Sequence, residues 1–197
     1  MPGTRRRERD GPIPDGAATM GRDAFFREAE TSSMAELLEA LAAPGAPAAG
    51  TALAYVGSMA AALGLMCLRG LADAREVAAV RSARDQFVAL AGRDARAYEA
   101  YQAAQGSERA HAVEEAIAIP LAIAREARGL WDRLAPHRGA ISAARGEDLR
   151  VALDLLGSVV RGAARLAQFN AQASGRAGTT PDREARALAD WVATVTL

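Results

Sequence analysis

The sequence predicts an all-α fold, an up-and-down bundle of five to six long helices, and three observations support this. Half of the 197 residues are hydrophobic but only 5% are aromatic, because alanine, the strongest helix former, dominates the apolar residues. Apolar residues recur at helical spacing, and no long stretch alternates apolar and polar residues as a half-buried strand does. Short links containing Gly and Pro separate the helical stretches, which favours antiparallel neighbours.

The predicted helices follow one another with only short links between them. Pro120 lies inside the fourth helix and should kink it, because proline removes one backbone hydrogen bond. Thr180 and Pro181 form the expected start of the last helix. The predicted ranges are 32–43, 50–69, 73–105, 108–134, 146–173 and 180–195.

Composition excludes several classes of function. The 24 basic residues balance 24 acidic ones, which argues against a broad nucleic-acid surface. Every basic residue is Arg, so a Schiff-base lysine and a P-loop lysine are both excluded. Cys67 is the one cysteine, and His111 and His137 stand in different segments, so we expect no disulfide, no metal site and no bound cofactor.

The N-terminal segment differs in composition from the rest of the chain. It combines several Arg residues with Gly and Pro and has no apolar stretch of the kind that secretory signals contain. We therefore expect residues 1–25 to be a disordered extension, residues 26–197 to form the helical domain, and the protein to be cytoplasmic.

The second predicted helix is apolar all round, which predicts burial on every side. Residues 43–68 carry no charge and are long enough to span a bilayer, but they are rich in Ala, Gly, Ser and Thr. A buried central helix is therefore favoured over a membrane span. Gly57, Ala61 and Gly64 place small residues on neighbouring turns, where another helix backbone, such as that of a second subunit, could approach closely.

The turn that leads into this helix is the first candidate site. A helix N-terminus presents free backbone N–H groups and a partial positive charge, which bind carboxylates or phosphates. Thr51 would cap the helix or touch a ligand. The alternative interpretation is an ordinary Pro/Gly helix start.

Asp94 and Tyr98 are the second candidate, because residues four apart share one face of a helix. A carboxylate on an apolar stripe is desolvated, which raises its pKa and suits general-base chemistry. Alternatively, Asp94 lies at the edge of the core and pairs with Arg93 or Arg96.

Asp148 and Asn170 are the third candidate. They are 22 residues apart on the fifth helix, about six turns, and so lie near one face. An Asn within an apolar stripe must find hydrogen-bond partners. Asp148 alternatively caps the start of that helix.

Several motifs of the chain resemble those of the cyclodeaminase/cyclohydrolase family of folate one-carbon enzymes, and they occur in the same order as in that family. A leucine-rich helix at 37–43, a Pro/Gly turn and the Ala/Gly-rich segment 51–63 resemble the start of formiminotetrahydrofolate cyclodeaminase and of the serine-cycle methenyltetrahydrofolate cyclohydrolase. Asp-Ala-Arg-Ala-Tyr at 94–98, Ile-Pro-Leu at 119–121 and the segments 148–152 and 161–170 resemble later family motifs. The family's triple-Gly loop and its serine correspond to Ala48, Ala49, Gly50 and Thr51.

The resemblance implies an all-helical homodimer that binds a tetrahydrofolate derivative as its substrate, without nucleic acid or membrane. It implies Asp94 as the acid/base, Tyr98 as a pterin contact or orienting hydroxyl, and Asp148 and Asn170 at the substrate. The turn that borders the ligand would be formed by Pro47, Ala48, Ala49, Gly50 and Thr51.

Because no formiminotransferase segment is attached, we expect the protein to hydrolyse 5,10-methenyltetrahydrofolate, and this reaction is favoured over the cyclodeaminase reaction. A non-catalytic helical dimer is the rival interpretation, since Ala48 and Ala49 replace two family glycines.

Overall fold

A computed structural model describes residues 34–195 of the chain. The predicted N-terminal extension, 1–25, and the first two residues of the first predicted helix lie outside the described residues. The chain divides into two compact units, residues 1–40 and 41–197. The described part of the first unit, 34–40, is helical.

Residues 34–195 form six α-helices and one 3-10 helix and contain no strand, so the all-α prediction is confirmed. The fourth helix has the predicted bounds. The third begins one residue later than predicted, because the Asp73 carboxylate caps it by accepting the Glu76 N–H at 2.8 Å. The helices are α1 Met34–Ala42, α2 Ala49–Cys67, α3 Ala74–Ala103, α4 Glu108–Leu134, α5 Ala143–Ala173 and α6 Thr180–Thr194, with the 3-10 helix Ala135–Gly139 before α5.

Contacts along α2 show that it runs antiparallel to both α3 and α5. Thr51, near the start of α2, meets Asp94, near the end of α3, and Gly57 lies against the earlier Phe87. At the other end of α2, the Cys67 thiol donates to the Arg145 carbonyl in the first turn of α5 at 3.5 Å. Because α4 packs between α3 and α5 and α6 packs on α5, the predicted up-and-down bundle is confirmed.

The outward side of α2 corrects the prediction that this helix is buried on every side. Met59 is 43% exposed and Met66 is 36% exposed, and the buried residues of α2 are mainly small ones on the opposite side. The prediction was wrong because α3, α4 and α5 cover only one side of the helix. Its length and mean hydropathy of 1.5 would also allow it to cross a membrane, a test that core helices of soluble proteins pass as well.

The small residues of α2 serve packing within the chain. A Cβ atom on Gly57 would lie 2.6 Å from a ring carbon of Phe87, and one on Gly64 would lie 2.7 Å from a Leu134 methyl group. Both distances are too short for carbon atoms, so α3 and α4 occupy the space that these glycines leave. The space beside these glycines is therefore filled by side chains of the same chain, and not by the helix backbone that was predicted. Dimerisation remains a prediction.

Candidate functional site

A cavity of about 360 Å³ lies where the start of α2, the end of α3, the first half of α4 and the end of α5 meet. Most of its wall is apolar, with Ala48, Ala49 and Gly50 contributed by the turn and first residues of α2. An apolar wall with a few polar groups is typical of small-molecule sites. The polar lining residues are Asp94, Tyr98, Tyr101, Gln102 and Asn170.

Asp94 joins α3 to the start of α2. The Thr51 hydroxyl donates to Asp94 Oδ2 at 3.0 Å, and the Thr51 backbone N–H also bonds the carboxylate. The residue that precedes α2, Ala48, has no side-chain oxygen with which to cap the helix. Asp94, which belongs to α3, therefore caps the N-terminus of α2 in place of a local N-cap side chain. When ionised, it also places a negative charge at the positive end of that helix.

The hydrogen bond between Thr51 and Asp94 requires a glycine at position 50. A Cβ atom at Gly50 would lie 2.5 Å from Asp94 Cγ, so any side chain there would push the carboxyl group away from Thr51. Of the three positions that resemble the family's triple-Gly loop, this one keeps its glycine. The close approach of the carboxyl group to this backbone leaves no room for a side chain at Gly50.

Burial raises the pKa of the Asp94 carboxyl group above its ordinary value, and the two hydrogen bonds from Thr51 lower it by less. The ion pair expected as an alternative is not formed, because Arg93 instead lies 3.5 Å from Glu115, and within residues 34–195 no Arg pairs with Asp94. A half-buried carboxyl group with a raised pKa and no cationic partner, on a cavity wall, is a candidate for proton transfer.

The end of α3 also contributes two tyrosines. Tyr98, which is 37% exposed, follows Asp94 by one turn, and Tyr101 follows by two turns, so all three lie on the cavity side. The Arg109 guanidinium stacks 4.0 Å from the centre of the Tyr101 ring and donates to the Tyr101 carbonyl at 2.6 Å. Tyr101 was not predicted as a site residue, although its helical spacing from Asp94 was a usable signal.

Asn170 reaches the cavity from α5. Its Nδ2 donates to the Ala116 carbonyl of α4 at 2.7 Å. Ala116 itself and Pro120, which follows it by one turn of α4, also line the cavity. Sequence reasoning identified Asn170 but not its partner.

The remaining predicted site residues lie elsewhere. Thr51 is buried and supports Asp94 instead of lining the cavity, and Pro47 is buried just before the turn residues that do line it. Asp148 is exposed on α5, about 33 Å from Asn170 at 1.5 Å per residue, so the two do not form one site. Nor does Asp148 cap α5, because the helix already begins at Ala143.

Ala48 and Ala49 fit the backbone of the turn. Ala48 is extended, with φ −131°, and Ala49 is the first residue of α2. Within the described part of the chain, only glycines have positive φ. The alanines therefore avoid the cost of a left-handed conformation, and their effect is to place two methyl groups at the cavity wall.

A larger open groove of about 850 Å³ adjoins the cavity between α3 and α4, and Ala97 belongs to both walls. Arg93 and Arg96 give this groove cationic groups, beside the acidic Glu108 and Glu115. Between residues 34 and 195, no three His, Cys, Asp or Glu side chains are grouped so as to hold a metal ion.

Fold and cavity together define a class: a helical-bundle protein with a cavity of small-molecule size and one half-buried carboxyl group in the cavity wall. The sequence matches the family model described as formiminotransferase-cyclodeaminase over residues 33–177, and the chain belongs to that family. This confirms the family that the sequence motifs indicated.

Solved structures agree with this fold. The chain is similar to the crystal structure of formiminotetrahydrofolate cyclodeaminase from Thermotoga maritima, with a TM-score of 0.73 at 21% identity. The match covers 85% of this chain and 91% of that one. No curated protein sequence matches the chain.

Proposed function

We propose that this protein hydrolyses 5,10-methenyltetrahydrofolate to 10-formyltetrahydrofolate. The observation that carries the proposal is Asp94, a carboxyl group with a raised pKa at the wall of an apolar cavity. The family of the chain supports a folate ligand. A cavity of about 360 Å³ falls within the range of about 300–1,000 Å³ that small-molecule sites occupy.

In the proposed reaction, Asp94 accepts a proton while water adds to the carbon between N5 and N10. The resulting tetrahedral carbon carries a hydroxyl group. Asp94 then returns its proton to N5 as the bond from carbon to N5 breaks, and the hydroxyl proton passes to solvent as the N10-formyl carbonyl forms. A carboxyl group that both takes and gives a proton works best when its pKa is near the working pH, which favours a raised value.

The neighbouring groove supports the same ligand class. A folate has a flat ring system and an anionic glutamate end, and these parts need different surroundings. The apolar cavity with Tyr98 and Tyr101 suits the ring, and Arg96 of the adjoining groove, which forms no ion pair within residues 34–195, offers charge to the carboxylates. We propose that the substrate spans both.

The cyclodeaminase reaction is the second candidate, because the solved structure with the same fold carries that name. In it, N10 attacks the carbon of the protonated formimino group, and Asp94 takes the N10 proton and passes it to the departing nitrogen, which leaves as ammonia. The same carboxyl group would serve both reactions. Assays with each substrate separate them.

We further propose that the protein acts as a cytoplasmic homodimer, with the folate as its substrate and without a cofactor. The exposed apolar side of α2 supports a protein partner, since soluble helices rarely leave such a side uncovered.

The test is the loss of methenyltetrahydrofolate absorbance in the near ultraviolet, with ammonia release from formiminotetrahydrofolate measured in parallel. Asp94→Asn should lower kcat by about 100-fold or more, because general acid–base catalysis contributes 10²–10⁴-fold. Asp154→Asn, which changes an exposed carboxylate of α5, is the matched control and should leave the rate unchanged. A wild-type protein without either activity, or an unchanged rate in Asp94→Asn, would contradict the proposal.

A further inference from the structure

Asn170 is the only asparagine of the chain, and its side chain crosses from α5 to α4. Its Nδ2 donates to the Ala116 carbonyl at 2.7 Å, in a half-buried position beside the cavity. A side chain that bonds a backbone carbonyl inside another helix is unusual, because that carbonyl normally has a partner within its own helix.

Pro120 explains why the Ala116 carbonyl is available. In an α-helix the carbonyl of residue 116 accepts the N–H of residue 120, and proline has no N–H. A buried carbonyl without a donor costs free energy, so it must be paired by another group. The Asn170 amide supplies that donor, and the two irregular residues, Pro120 and Asn170, form one arrangement.

The same bond fixes how the Asn170 amide is turned. A carbonyl oxygen only accepts hydrogen bonds, so the NH₂ group must face Ala116 and Oδ1 must point away from it. Within residues 34–195, no group donates to Oδ1. Asn170 therefore lines the cavity with a hydrogen-bond acceptor whose orientation is set by α4.

We propose that Pro120 is a positioning residue, which acts by freeing the carbonyl that holds Asn170, and that Asn170 Oδ1 binds an N–H donor of the ligand. The class of ligand is one that presents an amide or amino N–H group at this end of the cavity. Under the proposed folate function, on which only the choice of probe rests, that group is an N–H of the pterin ring. The alternative is that Pro120 only bends α4 and has no effect on Asn170.

The anchoring bond can be tested without any ligand. Because the chain has one asparagine, labelling with ¹⁵N-asparagine gives a single pair of side-chain NH₂ signals. We expect two well-separated proton shifts and slow exchange with solvent in the wild type. Pro120→Ala restores the N–H that competes for the Ala116 carbonyl, so the pair should move toward the shifts of a free amide. Signals of a free amide in the wild type, or unchanged signals in Pro120→Ala, would overturn the anchoring.

Binding of 5-formyltetrahydrofolate, followed by calorimetry, tests what the anchoring does. Loss of one hydrogen bond to the ligand should weaken binding about tenfold in Asn170→Ala and in Pro120→Ala. If Pro120 acts through Asn170, the double variant should bind no more weakly than Asn170→Ala alone. Pro136→Ala, at an exposed proline outside the cavity, is the control and should bind as the wild type does.

Thermal unfolding separates positioning from shape. Pro120→Ala restores a helical hydrogen bond, so its midpoint should equal or exceed that of the wild type while affinity falls. Additive losses in the double variant, or a midpoint that falls together with affinity, would overturn the positioning role. If the wild type does not bind the folate probe, the proposed function and the ligand assignment are both rejected, and the NMR comparison still decides the anchoring.

Discussion

Asp94 has two physical roles that compete with each other. Its charge suits the start of α2, where two Thr51 groups donate to it, yet its burial disfavours that charge. Burial is the stronger influence, since the pKa of the carboxyl group is raised overall. A group held between these effects changes its protonation in response to small changes in its surroundings, which is what a proton-transfer group requires.

Removal of the Thr51 hydroxyl should change the pH dependence of activity. The hydroxyl stabilises the charged carboxylate, so Thr51→Val should raise the pKa of Asp94 further. A base must be deprotonated to act, so the acidic limb of the kcat/KM profile should move to higher pH. Thr51→Ser keeps the hydroxyl and should leave the limb in place. A limb that moves to lower pH in Thr51→Val, or that does not move, would show that Asp94 does not control the profile.

Residue spacing predicted part of the cavity but not its hydrogen bonds. Asp94 and Tyr98 could be placed on one face because helical periodicity fixes such pairs, and the same reasoning would have reached Tyr101. The bond from Asn170 to Ala116 lay beyond this reasoning, because it depends on how α4 and α5 are aligned. Its only sequence signal was Pro120, four residues after the carbonyl that it leaves free.

Between helices, the fit of α2 depends on positions where a side chain would collide with a neighbour. Gly57 lies against Phe87, whereas Gly157 of α5 has no atom within 4 Å of where its Cβ would stand. Both glycines have a helical backbone conformation, but the side chains that surround them differ. Composition alone gives no means of telling them apart, since both lie in Ala- and Val-containing stretches.

Alanine at these two glycines should therefore have opposite effects. Gly57→Ala should lower the free energy of unfolding by about 1–3 kcal/mol, because overpacking forces the Phe87 ring to move. Gly157→Ala should raise it by up to about 1 kcal/mol, through the better helix propensity of alanine. Urea unfolding followed by tryptophan fluorescence measures both. Equal effects of the two substitutions would mean that contact with Phe87 does not limit the space at Gly57.

Helix bounds were predictable where local chemistry marks them. The Asp73 cap defines the start of α3, and Gly- and Pro-containing links separate the helices. The burial of α2 was not predictable in the same way. An apolar composition is compatible with a core helix and with a helix that keeps one apolar side for a partner, and only the arrangement of the neighbouring helices distinguishes them.

At the scale of the whole molecule, the two ends of the bundle differ. The cavity occupies the end where α2 begins. Trp131 and Trp191 are the only tryptophans; they pack edge to face, with ring centres 5.3 Å apart, and neither lines the cavity. Their fluorescence therefore reports the packing of the bundle separately from substitutions at the site.

The exposed side of α2 predicts a surface through which the protein assembles. Met59 and Met66 are large apolar side chains on the outward side of the most apolar helix, and covering them would remove apolar surface from water. If a second copy covers this side, the charge in Met59→Arg would have to be buried at the interface, and the dimer should dissociate. Size-exclusion chromatography with light scattering measures the mass directly.

Ala187→Arg is the matched control, because it adds the same charge at an exposed position of α6, a helix that packs on α4 and α5. It should leave the mass of the assembly unchanged. A wild-type protein that is monomeric at all concentrations would contradict the dimer. A Met59→Arg variant that remains dimeric would place the interface on another face. Neither result would affect the hydrogen bonds from Thr51 to Asp94 and from Asn170 to Ala116, which form within one chain.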